Sequence, residues 1–366
     1  MTEKSGTLSL CALGLMSGTS LDGVDIAQIR TDGERILELG PSSTIPYDTE
    51  TRRQLLSVLG QTENLEPAEK MVTEAYIRAI RKFLNLNPMR IDNIDVIGLH
   101  GQTIMHAPHS GKTIQIGDPQ SLASEFNTTV VGDFRSNDVA HGGEGAPLAP
   151  VFHRALSHNL KKPISILNIG GVANLTWINH DSMIAFDTGP GNALLDDWVS
   201  EKTEMTMDQN GKLAQMGIAS RKALMDLLND PFFTLPAPKS LDRNHFKTAS
   251  MAALEGLSLQ DGAATLTAFT SEAISIGAKQ LPQPPCQWLI SGGGRRNKTL
   301  MGYLKKSLPA PVDPVEIVGW SGDSLEAQLM GFLAVRTLKD LPLSYPLTTG
   351  VPFPMKGGVL FSPPHD

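Results

Sequence analysis

The sequence predicts an α/β fold in which one pattern of strands and helices occurs twice along 366 residues. Short apolar runs alternate with helical periodicities, glycine-rich turns follow several of the runs, and both halves open with strand–turn–strand–strand. Ordinary α/β alternation is the competing interpretation, but two such meanders with glycine turns favour a duplication. The length of the chain is typical of about two domains.

The first half begins with three predicted strands, which short connections make an antiparallel meander. A glycine-rich turn at residues 17–23 joins the first two strands. Apolar residues then recur with helical period at Met71, Ala75, Ile80 and Leu84. The predicted elements of this half are strands at 8–15, 24–30, 35–39, 96–99 and 130–133 and helices at 66–84 and 118–126.

The second half starts again with three short strands, separated by glycine-rich turns at residues 169–171 and 188–191. Its predicted elements are strands at 164–168, 173–178, 183–187 and 288–290 and helices at 193–201, 219–228, 263–280 and 324–338. Residues 137–150, rich in glycine and proline, are the best candidate for a hinge. Residues 338–364 are proline-rich, and we expect them to form a packed tail.

The composition excludes several classes of function. With 31 basic and 38 acidic residues, the net charge of −7 is wrong for a nucleic-acid partner, whose phosphates require basic patches. Two cysteines supply neither a disulfide framework nor a zinc motif. No apolar run approaches the ~18 residues of a membrane span, and the first residues lack the pattern of a signal peptide. We therefore expect a cytoplasmic protein without a membrane partner.

Glycine is more frequent than usual, at 34 residues, and its densest segments carry the candidate chemistry. The segment 14–25 adds the hydroxyls of Ser17, Thr19 and Ser20 and two carboxylates to its glycines. Glycines let backbone N–H groups approach an anion, and hydroxyls supply further donors. A plain hairpin needs only one or two special residues, so this segment is predicted to hold phosphate.

Two glycine-rich segments of the second half, 168–174 and 187–192, are also predicted to be functional. Asp187 is placed to act as a base or to hold a metal, and the helix that follows favours an anion at its N-terminus. The alternative is that Asp187 caps that helix. A further segment, 291–297, contains three consecutive glycines that favour contact with a nucleotide over a simple strand-to-helix turn.

Polar residues at other predicted strand ends could hold a substrate, because strand ends converge on the ligand crevice in α/β folds. His100, Arg135 and Glu326 are the main candidates, although each alone is more often a salt bridge or cap. Two near-motifs are set aside. Residues 110–113 resemble the end of a Walker A motif without its first glycine, and the histidines around His106 lack the partners of a zinc site.

Six strings in order, GLMSGTSLDGVD, LHGQT, GDFRSNDVA, NIGGVANLT, FDTGPGN and SGGG, resemble the anhydro-N-acetylmuramic acid kinase family of the sugar kinase/heat-shock/actin superfamily. They span residues 14 to about 326. Leu99 stands where a serine is expected, outside the catalytic positions. The resemblance implies duplicated actin-like (ribonuclease H-like) domains, each a mixed five-stranded sheet flanked by helices, with a central nucleotide cleft. The implied domains are 1–135 with about 335–366, and 136–334.

The resemblance also implies the roles of individual residues. Asp187 is the implied catalytic base, and Ser17, His100, Arg135 and Glu326 are the implied substrate contacts. The metal ligands stay unassigned. The implied ATP contacts are Gly18, Thr19, Ser20, Leu21, Asp22, Gly23, Val24, Asp25, Gly170, Gly171, Asn174, Gly189, Gly191, Gly292, Gly293 and Gly294.

The reaction implied by the resemblance uses ATP, Mg²⁺ and water to convert 1,6-anhydro-N-acetylmuramic acid to N-acetylmuramic acid 6-phosphate in peptidoglycan recycling. Two alternatives stay open. An ordinary sugar or acetate-type kinase would not add oxygen from water to the anomeric carbon. A non-catalytic nucleotide-dependent binding module would not release ADP in response to sugar. Because relatives in the superfamily often dimerise, a homodimer is also expected.

Overall fold

The computed structural model describes residues 9–18 and 20–364, which divide into two compact units. Unit 1 is Met1–His158 with Ser324–Asp366, and unit 2 is Asn159–Asp323. Each unit contains one β-sheet with helices packed on it. No helix of the described residues combines the length and the apolar character needed to cross a membrane.

Unit 1 contains seven strands and seven α-helices within its described residues. The strands are β1 Leu10–Ser17, β2 Gly23–Thr31, β3 Ile36–Pro46, β4 Val96–Ala107, β5 Lys112–Ile116, β6 Val130–Gly132 and β12 Val359–Phe361. The helices are α1 Thr49–Val58, α2 Glu66–Leu86, α3 Pro119–Phe126, α4 Ser136–Ala140, α5 Ala149–Leu156, α12 Leu325–Leu338 and α13 Pro346–Thr349.

Unit 2 contains five strands and six α-helices. The strands are β7 Ile164–Ile169, β8 Val172–Asn179, β9 Ser182–Pro190, β10 Trp288–Ser291 and β11 Val312–Pro314. The helices are α6 Ala193–Lys202, α7 Lys212–Met216, α8 Arg221–Leu228, α9 Lys247–Ala253, α10 Leu259–Ala278 and α11 Lys298–Ser307.

The two sheets share one topology, which confirms the predicted duplication. In unit 1 the order β3-β2-β1-β4-β6 has an antiparallel meander followed by two parallel neighbours. In unit 2 the order β9-β8-β7-β10-β11 has the same directions. This is the mixed α/β arrangement expected of duplicated actin-like domains.

The prediction of five strands is correct for unit 2 and wrong for the sheet of unit 1, which has seven. Strand β4 continues past its partner β1 and pairs its second half with β5 in a hairpin. The C-terminal strand β12 adds to the free edge of β6. The predicted tail is therefore packed, as expected, and it protects a sheet edge that would otherwise expose unpaired backbone groups.

The division into units places residues 136–158 and 324–334 in unit 1, although the sequence-based boundaries assigned them to the second domain. The physical reason is the packing of α12, which lies on β1, β2 and β4 and also contacts α5. Most residues of α12 are buried on every side, so the helix belongs to the core of this unit.

Two glycines allow α12 to lie directly on the sheet. Gly14 of β1 and Gly98 of β4 are opposite each other in the register. A Cβ built on Gly14 would lie 1.8 Å from the carbonyl oxygen of Ala327, and one on Gly98 would lie 2.1 Å from that of Met330. Gly14, predicted as part of the phosphate-binding segment, is therefore required for helix–sheet packing.

Replacing Gly14 with alanine is expected to lower the free energy of unfolding by about 3 kcal/mol, the upper range for inserting a methyl group into a packed core. Urea denaturation measures this loss. Gly302→Ala is the control, because it lies inside α11 with nothing within 4 Å of its added Cβ. Alanine there is expected to increase stability slightly through helix propensity. A Gly14→Ala protein as stable as the wild type would contradict the packing role.

Candidate active site

Four polar residues lie side by side across the sheet of unit 2. Ser291 of β10 is opposite Asn168 of β7, Asn168 is opposite Asn174 of β8, and Asn174 is opposite Asp187 of β9. The Ser291 hydroxyl donates to Asn168 Oδ1 at 3.4 Å. Residues opposite each other in a sheet place their side chains on the same face. Unit 2 therefore presents a polar row that ends in a carboxylate.

The carboxylate at the end of this row is held by the loop after α8. Asp187 Oδ2 accepts a hydrogen bond from the backbone N–H of Leu241 at 2.8 Å. The backbone N–H of Asp187 donates to the carbonyl oxygen of Lys239 at 2.9 Å. The alternative that Asp187 caps α6 is wrong, because Asn192 occupies the N-cap position. Asp187 is thus a partly exposed, oriented carboxylate with no capping task.

The two glycine-rich turns of the meander are joined by backbone hydrogen bonds. The N–H of Asn192 donates to the Gly170 carbonyl at 2.7 Å, and that of Gly191 donates to the Gly171 carbonyl at 2.9 Å. A Cβ on Gly191 would lie 2.3 Å from the Gly170 carbonyl oxygen, and one on Gly189 would lie 2.6 Å from a side chain of α10. Gly189 and Gly191 are explained by close packing, whereas Gly170 and Gly171 are accessible to a ligand.

The three consecutive glycines after β10 have different surroundings. Gly292 has a φ of +72°, and a Cβ there would lie 2.5 Å from Asn168 Oδ1. A Cβ on Gly294 would lie 2.4 Å from the side chain of Ile169. Gly293 is exposed, and the nearest atom to its added Cβ is 3.7 Å away. Only Gly293 of the three thus presents an open backbone surface to a ligand.

Two arginines beside these loops are not among the predicted site residues, although Arg295 lies within the predicted segment 291–297. Arg295 is 7% exposed and forms ion pairs at 2.9 Å with both Glu316 and Asp323, which anchor the loop after β10. Arg243 approaches Gly171 and pairs with Asp197 at 3.3 Å. The ion pairs of these arginines cannot be read from the sequence, because their partners are distant along the chain.

In unit 1, two separate pairs of polar residues join strands of the sheet. Thr44 of β3 donates to Asp25 Oδ1 of β2 at 2.5 Å. Ser17 of β1 donates to Gln102 Oε1 of β4 at 2.5 Å and accepts a hydrogen bond from the Tyr47 hydroxyl at 2.7 Å. Burial raises the pKa of Tyr47 to about 12, so its hydroxyl stays a donor. Because Ser17 is 1% exposed and its hydroxyl bonds to Gln102 and Tyr47, its side chain is not available as a substrate contact in this structure.

The turn between β1 and β2 has an accessible part and a buried part. Thr19, predicted to contact ATP, lies outside the described residues. Among the described residues, the nearest atom to a Cβ added on Gly18 is Ser20 Oγ at 3.7 Å, and both Ser20 and Asp22 are accessible. The accessible residues of this turn can therefore offer backbone N–H groups and a hydroxyl to an anion.

The predicted ATP contacts Leu21, Gly23 and Val24 are buried in unit 1. Leu21 adopts a φ of +55°, which turns its side chain into the core beneath the turn. Gly23 is required where β2 meets β3, because an added Cβ would lie 2.3 Å from the carbonyl oxygen of Ile45. The side chains of Leu21 and Val24 thus support the turn rather than face a ligand, and Gly23 allows the close approach of β3.

Arg135, just after β6, is held by His100 of β4. Its Nε and Nη2 lie 3.0 and 2.9 Å from His100 Nε2, and its Nη1 donates to the carbonyl oxygen of Gly145 at 2.7 Å. Burial and the charge of Arg135 lower the pKa of His100 to about 3. The imidazole is therefore neutral, with Nδ1–H donating to the Gly101 carbonyl at 2.8 Å and Nε2 accepting from Arg135.

Glu326 lies in the first turn of α12, with its side chain accessible to solvent. The surrounding protein raises the pKa of its carboxyl by desolvation, and the negative charge of Asp25 adds to this, while Arg135 opposes it. Glu326, Asp25 and Arg135 are thus close enough to influence one another's charge within unit 1.

A cavity of about 330 Å³ lies beside His100 in the middle of β4, where β6 ends and α2 and α3 begin. Its polar lining includes Thr113, Gln115, Asp133 and Ser136. Hydroxyl, amide and carboxylate groups around a concave surface are suited to a small polar molecule. The sequence offers no signal for Thr113 and Gln115, because only the β4–β5 hairpin folds them back beside His100.

The described residues contain no group of three or more histidines, cysteines, aspartates or glutamates that could form a metal cage. A magnesium ion that accompanies a nucleotide does not require such a cage, because it is typically held by one or two carboxylates together with phosphate oxygens. Asp22, Asp25 and Asp187 are the carboxylates at the predicted phosphate-binding segments, and they fit this role.

Comparison with known proteins identifies the family. Residues 11–363 match the family model described as anhydro-N-acetylmuramic acid kinase. The chain is 51% identical to the anhydro-N-acetylmuramic acid kinase of Paramagnetospirillum magneticum over 95% of this chain and 99% of that protein. It is 49% identical to that of Rhodopseudomonas palustris, over 97% of this chain and the whole of the relative. The chain therefore belongs to the anhydro-N-acetylmuramic acid kinase family and is a sugar kinase.

Proposed function

We propose that this protein uses ATP and water to convert 1,6-anhydro-N-acetylmuramic acid to N-acetylmuramic acid 6-phosphate and ADP. The family assignment supports the substrate, and the orientation of the Asp187 carboxylate is the observation that supports the mechanism. The substrate has no free 6-hydroxyl, because that oxygen is bonded to the anomeric carbon. Phosphorylation at this oxygen therefore requires the bridge to open.

Asp187 is the proposed general base. It takes a proton from a water molecule, whose oxygen forms a bond to the anomeric carbon while the bond from that carbon to the 6-oxygen breaks. The released 6-oxygen attacks the γ-phosphorus, and ADP leaves as the bond to the β–γ bridging oxygen breaks. Backbone donation from Leu241 to Oδ2 keeps the carboxylate in one orientation. One base thereby serves both ring opening and phosphoryl transfer.

The proposed ATP contacts are the open backbone positions of three segments: Gly18 and Ser20 in unit 1, and Gly170, Gly171 and Gly293 in unit 2. Backbone N–H groups and the N-terminus of α6 can bind phosphate oxygens without lysine. The predicted segments contain none, in agreement with the acidic net charge. Mg²⁺, when bound with ATP, would neutralise phosphate charge, with Asp22, Asp25 or Asp187 available as ligands.

The proposed sugar contacts are Arg135, Glu326 and the cavity beside His100. The guanidinium keeps unused N–H donors after its bonds to His100 and Gly145, since it carries five in all. Those donors suit the carboxylate of the muramic acid, which an arginine can bind in a bidentate manner. The amide and hydroxyl lining of the cavity suits the neutral parts of a sugar.

This activity belongs to peptidoglycan recycling and amino-sugar catabolism, and its need for ATP favours the cytoplasm. A homodimer stays a prediction.

The experiment that tests the reaction uses ¹⁸O-labelled water with ATP, Mg²⁺ and 1,6-anhydro-N-acetylmuramic acid. Products are reduced with borohydride at once, because a free anomeric oxygen exchanges slowly with water, and are then examined by mass spectrometry. The expected product has one ¹⁸O on the anomeric carbon and none in the phosphate ester. A phosphorylated sugar with an intact bridge and no label would instead establish an ordinary sugar kinase. Absence of sugar-dependent ADP release would favour the non-catalytic alternative.

A further inference from the structure

A buried carboxylate in α4, which the proposed chemistry does not use, joins two distant segments of unit 1. Asp138 is 2% exposed, and three donors surround its carboxylate. Oδ1 accepts from the backbone N–H of Gly145 at 2.6 Å. Oδ2 accepts from the hydroxyls of Thr349, at 2.6 Å, and Ser344. Such a carboxylate is strongly bound, because hydrogen bonds to a charged group are worth about twice those between neutral groups.

The Gly143–Gly145 loop, which Asp138 holds, also makes other hydrogen bonds and close contacts. The backbone N–H of Glu144 donates to the Thr349 carbonyl at 2.7 Å, and the Glu144 carbonyl lies 2.9 Å from His106 Nε2. A Cβ on Gly143 would lie 2.2 Å from Asp138 Oδ1, and Gly145 has a φ of +65°. These contacts hold the loop in one conformation, in which its backbone lies directly against the Asp138 carboxylate.

The same loop also contacts Arg135, the arginine proposed to bind the sugar. The Gly145 residue that donates its N–H to Asp138 accepts Arg135 Nη1 on its carbonyl oxygen at 2.7 Å. On the opposite side, His100 Nε2 holds Nε and Nη2. The guanidinium is thus fixed from two sides, and one of these sides depends on Asp138.

We propose that Asp138 is a positioning residue for the sugar substrate: it ties the Gly143–Gly145 loop to the C-terminal Ser344–Thr349 segment, and the loop in turn holds the Arg135 guanidinium in its binding orientation. This inference rests on the proposed role of Arg135 in binding the acid group of the sugar. It makes the C-terminal segment, whose Thr349 is 211 positions from Asp138 in the sequence, a part of the sugar-binding apparatus.

The test measures the affinity for 1,6-anhydro-N-acetylmuramic acid in the full-length protein, by KM and by calorimetric Kd without ATP. Asp138→Ala is expected to raise both values about tenfold, equivalent to one lost charge-assisted hydrogen bond, with the KM for ATP and kcat within about twofold. Asp138→Asn retains an acceptor for Gly145 and is expected to recover part of the affinity. Thr349→Val, which removes one donor without contacting Arg135, is expected to weaken binding by a smaller factor.

The same substitutions are then made together with Arg135→Leu. Asp138→Ala is expected to cause no further loss of sugar affinity in that background, because the group that it positions is gone. Thr31→Val is the matched control. Like Thr349, Thr31 is a fully buried threonine of unit 1 whose hydroxyl makes internal hydrogen bonds. Losing that hydroxyl is expected to lower stability without changing sugar affinity.

If Asp138→Ala lowers sugar affinity by the same factor with and without Arg135, Asp138 only stabilises the fold, and the inference is overturned. Losses in kcat or in ATP affinity alone would also overturn it. If Asp138→Ala does not fold, the Thr349→Val comparison decides by the same criterion. A normal sugar affinity in Arg135→Leu itself would instead overturn the proposed role of Arg135, and the inference with it.

Discussion

Replacing Asp187 with asparagine is expected to lower kcat about a thousand-fold, within the ~10²–10⁴ range for loss of a general base. Asparagine is nearly the same size and its amide oxygen can still accept the Leu241 N–H, so the fold and the binding of both substrates are expected to persist. The amide cannot take a proton from water at neutral pH. Sugar-dependent ADP release, with mass spectrometry of the sugar product, measures the loss.

The control for this substitution is Asp181→Asn, on the exposed turn between β8 and β9, which is expected to keep full activity. Calorimetric binding of ATP to Asp187→Asn separates a chemical defect from a binding defect. Turnover within tenfold of the wild type would rule out Asp187 as the base and leave the carboxylate a structural or metal-binding role.

Replacing Arg135 with leucine is expected to raise the KM for the sugar about a hundred-fold, because a charged hydrogen-bonded pair is lost at ~1.5–3 kcal/mol. The KM for ATP is expected to change little. Part of the cost arises because His100 Nε2 and the Gly145 carbonyl lose their shared donor. Steady-state kinetics with each substrate varied in turn provides the measurement.

A neutral substrate sharpens this prediction. 1,6-Anhydro-N-acetylglucosamine lacks the acid side chain, so the wild type is expected to bind it poorly and Arg135→Leu no worse. Arg90→Leu is the control, because Arg90 is exposed and pairs with Asp92 at the surface. If Arg135→Leu weakened both sugars by the same factor, the arginine would not recognise the acid group.

The order of strands and helices follows from the sequence because it depends on local patterns. The meander–helix–strand pattern was visible in both halves, and the observed β1–β4 and β7–β10 lie close to the predicted positions. The elements that were not predicted are the helices α1, α4, α5, α7, α9, α11 and α13 and the strands β5, β11 and β12. They are short, and β12 is a strand only because the free edge of β6 provides a partner.

The candidate site was partly visible in the sequence. The segments around Asp187, Gly170 and Gly293 carry dense glycine and polar signals, and the structure brings Asn168, Asn174 and Asp187 into one row. The density of glycine in the sequence cannot distinguish glycines that face a ligand from glycines that allow close packing. Gly14, like Gly191, has a packing role that depends on an element far away in the sequence.

By itself, the sequence determined the duplicated α/β pattern, the family and the catalytic candidate Asp187, because periodicity and motif spacing are local properties of the chain. Only the tertiary structure decided that Ser17 faces inward, that His100 is neutral and supports Arg135, and that Asp138 connects the C-terminal segment to that arginine. The physical reason is that burial and hydrogen-bond partners arise from contacts between residues far apart in the sequence, 211 positions apart for Asp138 and Thr349. No local pattern in the chain encodes such contacts.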